Sequence, residues 1–430
     1  MKKILIITYY WPPAGGPGVQ RWLKFTKYLP DFGYEPHVYI PANPSYPILD
    51  ETLAKDINPK VKIIKNQIWE PYQIAEKLNP KNKSYKGGHF EKKESQSFMS
   101  KLSVFIRGNF FIPDARKFWI KPSIQFLKNY LEKEGIDTIV TSGPPHSMHL
   151  IGLGLKEIKP NVKWIADFRD PWTQISYHKE LKLTSWATNK HEALEQEVMT
   201  KANLVLATSY TDAENFKQIG AKNVEVITNG FEEVKKETEK DQEYFHITYS
   251  GGLEMLRNPF SLWKAIGELI NNNTSFKNDL KLNFYGSLAE DVKQTICDQK
   301  LEQNLVVHGY VSHQEALNAI NQANILVLTN FDNVASKGII PGKLFEYMAT
   351  NNPILAIGPN DADVQRILQQ TNAGAYYNHQ EVEAIKTYIL KIYNQWLANP
   401  NQQFETNTIE VEKFNRKNLT NHLAQIIKTL

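Results

Sequence analysis

Short apolar runs alternate with stretches of helical period along almost the whole chain. Runs at 4–7, 37–40, 137–142, 204–209, 245–249, 280–285, 305–311, 325–329 and 353–358 predict strands, most of them continuous enough in apolar residues for parallel strands buried on both faces. Between them, apolar side chains recur three or four apart. Trp22, Phe25 and Leu29 share one face after the first strand. Ile120, Ile124, Phe126, Leu127 and Leu131 keep roughly helical spacing, and Met148 opens a third helical stretch. Near the C-terminal end, Leu344 pairs with Met348 and Phe345 with Ala349. The first strand runs into Gly15, Gly16 and Gly18, and the strand at 245–249 into Gly251 and Gly252, each followed by a helix. Two strand–glycine loop–helix units opening two halves predict an α/β protein of two facing Rossmann-like domains.

At 430 residues the chain is too long for one ordinary core. The charged run at 232–243 is the best boundary, giving domains at 1–232 and 244–405 and a last helix within 406–430. A net charge of +4 is mild and argues against a nucleic-acid binder. The single cysteine, Cys297, excludes intrachain disulfides and cysteine-rich metal sites, and agrees with a reducing, cytoplasmic setting. The apolar run at the start is too short for a signal peptide, and no later run reaches the length of a membrane span. Residues 79–100 are polar, with Lys81, Lys83, Lys86, Lys92 and Lys93. They read as a solvated insertion, or, with the apolar and basic residues at 105–112, as a surface that meets an anionic membrane.

Candidate chemistry gathers at strand ends. Gly15 and Gly16 suit either a tight turn or a loop whose amides approach a ligand, without the dinucleotide spacing. Arg21 follows on the next helix. The run Gly143-Pro-Pro-His146 places a histidine beyond a strand end, where open α/β sheets bind ligands. Asp167, Arg169 and Asp170 cluster at another strand end, either as a structural ion pair or to orient hydroxyls. Lys343 and Glu346 lie one turn apart behind Pro341 and Gly342. A lysine at a helix start beside a glycine loop suits a phosphate, although such a pair is also ordinary helix chemistry. No His, Asp or Glu set has metal-ligand spacing.

The stretch Pro341-Gly-Lys-Leu-Phe-Glu-Tyr-Met-Ala, followed by Asn-Pro-Ile-Leu-Ala, resembles the donor-site helix of family 4 glycosyltransferases of the GT-B fold. Ser142-Gly-Pro-Pro-His-Ser and Asp167-Phe-Arg-Asp-Pro-Trp are similar to runs in a bacterial branch of that family. The resemblance covers nearly the whole chain and implies a retaining, metal-independent transferase without cofactor. It implies a nucleotide sugar as donor and a saccharide or lipid-linked saccharide as acceptor, with a C-terminal helix crossing back to the first domain. Arg257, Lys343, Gly251, Gly252 and Gly342 would then hold the diphosphate, and Glu346 the ribose. Ser287, Tyr310 and Val311 would wall the base, and His146 would contact the transferred sugar. Gly15, Gly16, Arg21, Asp167, Arg169 and Asp170 would line the acceptor side. Two departures stand out: Gly252 occupies the position of the family's arginine, and Gly338 that of the first of its two glutamates. A GT-B epimerase and a non-catalytic sugar-nucleotide binder are the alternatives.

Overall fold

A computed structural model describes residues 1–70, 98–175, 178, 181–232 and 240–430. The lysine-rich stretch 79–97 and most of the charged run at 232–243 lie outside the described residues. The chain divides into two compact units, one of 1–228 with 419–430 and one of 229–418.

The first unit carries seven parallel strands: β1 (Lys2–Ile7), β2 (Tyr34–Pro41), β3 (Lys62–Asn66), β4 (Thr138–Gly143), β5 (Lys163–Phe168), β6 (Leu204–Ala207) and β7 (Val224–Val226). Their order is β3-β2-β1-β4-β5-β6-β7. The chain winds outward from β1 in one direction and from β4 in the other. The strand order therefore reverses between these two, the place where such sheets leave a crevice at the strands' carboxyl ends. One face packs under the helices Ile120–Glu134 and Ser147–Ile158, with Leu127, Leu131, Ile151 and Leu155 buried. The other packs under Pro17–Tyr28 through Trp22, Leu23 and Phe25. Leu419, Leu423 and Ile427 of the last helix join this second layer.

The second unit repeats the plan with β8 (Phe245–Ser250), β9 (Leu280–Tyr285), β10 (Leu305–Gly309), β11 (Ile325–Thr329), β12 (Ile354–Ile357) and β13 (Gly374–Tyr377). The order is β10-β9-β8-β11-β12-β13, all parallel, with the switch between β8 and β11. The helices Phe260–Asn272 and Val382–Ala398 pack Trp263, Ile266, Ile389 and Tyr393 against it.

Two helix boundaries differ from what the sequence suggests, Pro341 in the first turn of the Lys343 helix and one unbroken helix from about Val411 to Leu430. Pro341 lies outside the helix Lys343–Thr350, which has Gly342 as its cap. The Pro341 carbonyl instead accepts the Leu344 N–H at 3.0 Å. Asn351 ends that helix in the left-handed region, φ 55°. The last helix runs Arg416–Thr429, after a separate turn at Thr408–Glu412. Between them the Phe414 carbonyl and Arg416 N–H bond to Phe231, which takes that backbone out of any continuous helix.

Candidate functional site

In the second unit, the loops after β8, β9 and β10 are sewn together by backbone bonds. Gly251 N–H donates to Tyr285 O at 2.7 Å, Leu253 N–H to Ser287 O at 2.9 Å, and Gly286 N–H to Gly309 O at 2.7 Å. The close approach requires glycine at two points. Gly251 and Gly286 have φ of +114° and +127°. A Cβ on Gly286 would meet Gly251 O at 2.5 Å. Of the two amides expected to face a phosphate, Gly251's is therefore consumed. That of Gly252 has no such tie.

The helix Lys343–Thr350 aims two side chains into this loop. The Tyr347 hydroxyl accepts the Ser250 N–H at 3.0 Å. Lys343 Nζ donates to Ser250 O at 2.7 Å and lies 4.1 Å from the centre of the Tyr249 ring. Burial lowers the Lys343 pKa, against the neighbouring Tyr249 hydroxyl and the Glu346 carboxylate, which favour its charged form. A guanidinium nitrogen of Arg257 donates to Gly252 O at 3.0 Å, and its carbon sits 5.7 Å from the Phe331 ring centre. Lys343 and Arg257 thus converge on residues 250–252. Glu346, one turn on, is half-buried and makes no hydrogen bond or ion pair among the described residues. Tyr310 is 98% exposed just beyond β10.

Gly338 stands in a tightly held loop. The Asn330 side chain donates to the carbonyls of Ser336 and Ile339 at 3.2 and 3.1 Å, and Ser336 Oγ to those of Phe331 and Asn333 at 2.8 Å. At Gly252, a Cβ would come within 2.9 Å of Ser287 Oγ, so an arginine there would have to displace Ser287.

In the first unit the expected residues separate into two groups. Arg21 and Asp167 form a buried ion pair, with Nη2 to Oδ1 at 2.8 Å and Nε to both carboxylate oxygens. Trp22 Nε1 and Ser142 Oγ also donate to Asp167, and Arg21 donates to Thr228 O. These donors hold the Asp167 pKa down against its burial. Both residues are spent inside the fold, which is the structural alternative for this cluster. Arg169 bridges the Gly18 carbonyl, at 2.7 Å, and the Pro144 carbonyl, so it clamps the loop after β1 to the loop after β4. Gly15 donates to Ile48 O at 2.9 Å, and Gly16 caps the first helix at φ 86°. Asp170 is exposed.

His146 is 5% exposed and stacks on Trp172 at 4.8 Å and 4°. Both ring nitrogens are buried without a partner among the described residues. Burial, then the neighbouring His149 and Arg169, push its pKa well below the usual histidine value, so the ring is neutral. Asp114, which the sequence analysis did not single out, accepts the N–H and hydroxyl of Ser147 at 2.8 Å each. It occupies the start of the helix after His146 and leaves no anion site there. Sequence reasoning missed Tyr249 and Tyr347 as supports for Lys343.

Among the described residues no group of three or more His, Cys, Asp or Glu is placed to hold a metal ion. No described helix is long and apolar enough to cross a membrane.

No family model matches the chain, and no curated protein does. Solved structures do. The chain is similar to sucrose-phosphate synthase from Thermosynechococcus elongatus, at 14% identity and a TM-score of 0.58 over 100% of this chain and 99% of that one. It is similar to WaaG, a glycosyltransferase involved in lipopolysaccharide biosynthesis, at 11% identity and 0.51 over 99% of both. It is also similar to a protein assigned as a UDP-N-acetylglucosamine 2-epimerase from Listeria monocytogenes, at 11% and 0.52 over 100% of this chain and 96% of that one. The fold these define is GT-B, with two Rossmann-like units of parallel strands and interleaved helices. At such identities the likeness speaks for the fold and not for an activity.

Proposed function

We propose that the chain is a glycosyltransferase that moves a hexosyl group from a nucleotide-diphosphate sugar to a saccharide or lipid-linked saccharide, with retention and without a metal ion. The observation that carries this reading is the convergence of Lys343 and Arg257 on residues 250–252 at the switch point of the second sheet, with the unpartnered Glu346 one turn away. A departing nucleoside diphosphate gathers negative charge, and preorganised cations are the means to stabilise it. Lys343, Arg257 and the Gly252 amide take that role, while Glu346 accepts hydrogen bonds from ribose hydroxyls. Gly338 brings no carboxylate to the transferred sugar, so the donor's hydroxyls rely on other groups.

The membrane part of the reading rests on an apolar and basic surface in the first unit. Leu102, Phe105, Ile106 and Phe110 of the helix Phe98–Phe110 are exposed, as are Trp69 and Phe118, whose rings meet at 4.7 Å. Lys117 Nζ lies 5.8 and 5.5 Å from the centres of Phe111 and Phe118. Such a patch suits the headgroup region of an anionic leaflet.

The test is thermal stability against a panel of nucleotide sugars and nucleoside diphosphates, in wild type and Glu346→Ala. Ligand at about 100 times its dissociation constant stabilises by roughly 2.7 kcal/mol. A shift with one nucleotide series, lost in the variant, supports the donor site; no shift with any of them overturns it. Incubation of the stabilising nucleotide sugar without acceptor then separates the alternatives, because an epimerase converts it alone.

A further inference from the structure

The carboxyl edge of the second sheet carries the donor candidates, and the opposite edge carries a cavity of about 270 Å³. Asn324 and Pro353, directly ahead of β11 and β12, and Asn372, just short of β13, form one wall. The end of the helix Val382–Ala398 and the segment after it form the other. Strands of four to six residues, at about 3.3 Å each, put the two edges roughly 13–20 Å apart.

The lining is rich in amides with one end unspent. Asn324 uses its carbonyl on the His246 N–H at 2.7 Å, leaving the NH₂. Asn372 gives its NH₂ to Glu405 O at 2.7 Å, leaving the carbonyl. The side chains of Gln395 and Gln403 make no hydrogen bond among the described residues. Trp396, only 7% exposed, lines the same cavity with its indole N–H buried and unpartnered. A neighbouring cavity of about 120 Å³ shares Gln403 and continues the amide lining.

We propose that this groove is a second, non-catalytic site that binds a neutral saccharide of one or two rings. Sugar hydroxyls donate and accept at once, and so do primary amides. A phosphorylated ligand calls for clustered cations. Of the two lining lysines, Lys240 already reaches Ala323 O, and Lys391 stands exposed at the rim. The site would keep a saccharide chain attached to the protein while chemistry proceeds at the other edge.

The experiment is saturation-transfer NMR on the full chain with glucose, galactose, mannose, N-acetylglucosamine, maltose and lactose, with no nucleotide present. At least one sugar is expected to give a saturable signal in the millimolar range. The double variant Gln395→Ala/Gln403→Ala should weaken it about tenfold or more. Glu346→Ala should leave it unchanged. Absence of saturation by every sugar overturns the proposal, as does a signal lost in Glu346→Ala and kept in the double variant. Tighter binding of glucose 6-phosphate than of glucose overturns the neutral class. Because no nucleotide is present, failure of the donor-site reading leaves this result readable by itself.

Discussion

The Lys343 ammonium donates to the Ser250 carbonyl oxygen at 2.7 Å, so the charge at a helix start is pinned to the loop after β8. On the proposed reading it is one of two cations that offset the diphosphate. Lys343→Met removes the charge and keeps much of the side-chain length. A charged hydrogen bond contributes about 1.5–3 kcal/mol, so nucleoside diphosphate affinity should fall roughly 10- to 100-fold. Affinity for the bare nucleoside should stay the same. Titration calorimetry decides it, and an unchanged diphosphate affinity would take Lys343 out of the site.

Gly286 and Gly309 both adopt positive φ, +127° and +71°, yet only Gly286 is crowded. A Cβ there meets Gly251 O at 2.5 Å and Gly251 C at 2.7 Å, while one at Gly309 meets nothing within 4 Å. Gly309→Ala should cost about 1–2 kcal/mol, the left-handed term alone. Gly286→Ala should cost distinctly more and loosen the loop that carries Lys343's partner. Urea unfolding compares the two; equal losses would mean that the close approach adds no constraint.

The strands with continuous apolar runs were legible because burial on both faces leaves no polar positions. β3 was not: at the sheet edge only Ile64 of Lys62–Asn66 is buried, so no run stands out. β13, Gly374–Tyr377, is half-buried throughout and equally silent. In the candidate site, Lys343 and Glu346 stood out by their place at a helix start, but their roles and that of Arg257 came from the resemblance of the surrounding runs to family 4 glycosyltransferases. Tyr249 and Tyr347 could not be named as supports, because their roles arise only when two loops and a helix meet. Nor could spacing tell whether Asp167 or Asp170 was the open carboxylate. Three residues apart, one is buried under four donors and the other exposed.

That difference is itself testable. Asp167→Asn leaves the Arg21 guanidinium buried without its counter-charge, a change of about 3–5 kcal/mol. Asp170→Asn, on an exposed side chain, should stay within about 0.5 kcal/mol. Denaturant unfolding followed by fluorescence of Trp22 and Trp164, both buried in the first unit, reads the two variants. If they unfold alike, the Arg21–Asp167 pair does not hold that unit together. A loss of turnover in Asp170→Asn without loss of stability would place Asp170 on the acceptor.

Buried histidines give the first unit a pH dependence of definite sign. His149 and His191 are 0% and 2% exposed, and burial takes their pKa values down to about 3 and about 4. In the unfolded chain both return to the ordinary histidine range, so the unfolded state binds more protons between pH 6.5 and about 4. The stability they contribute is complete above pH 6.5 and is lost as pH falls through that window. Each such group gives a slope of about 1.4 kcal/mol per pH unit at its steepest, and His146, whose pKa burial pushes well down, adds to these two. Glu195, whose pKa is raised by burial, works the other way and offsets part of the loss. His149→Leu should remove about a third of the slope that His146, His149 and His191 give together, while leaving the Asp167 cluster intact. Urea midpoints of the first unit at pH 7, 6 and 5 measure it, and a flat profile would show that these rings take up protons without unfolding.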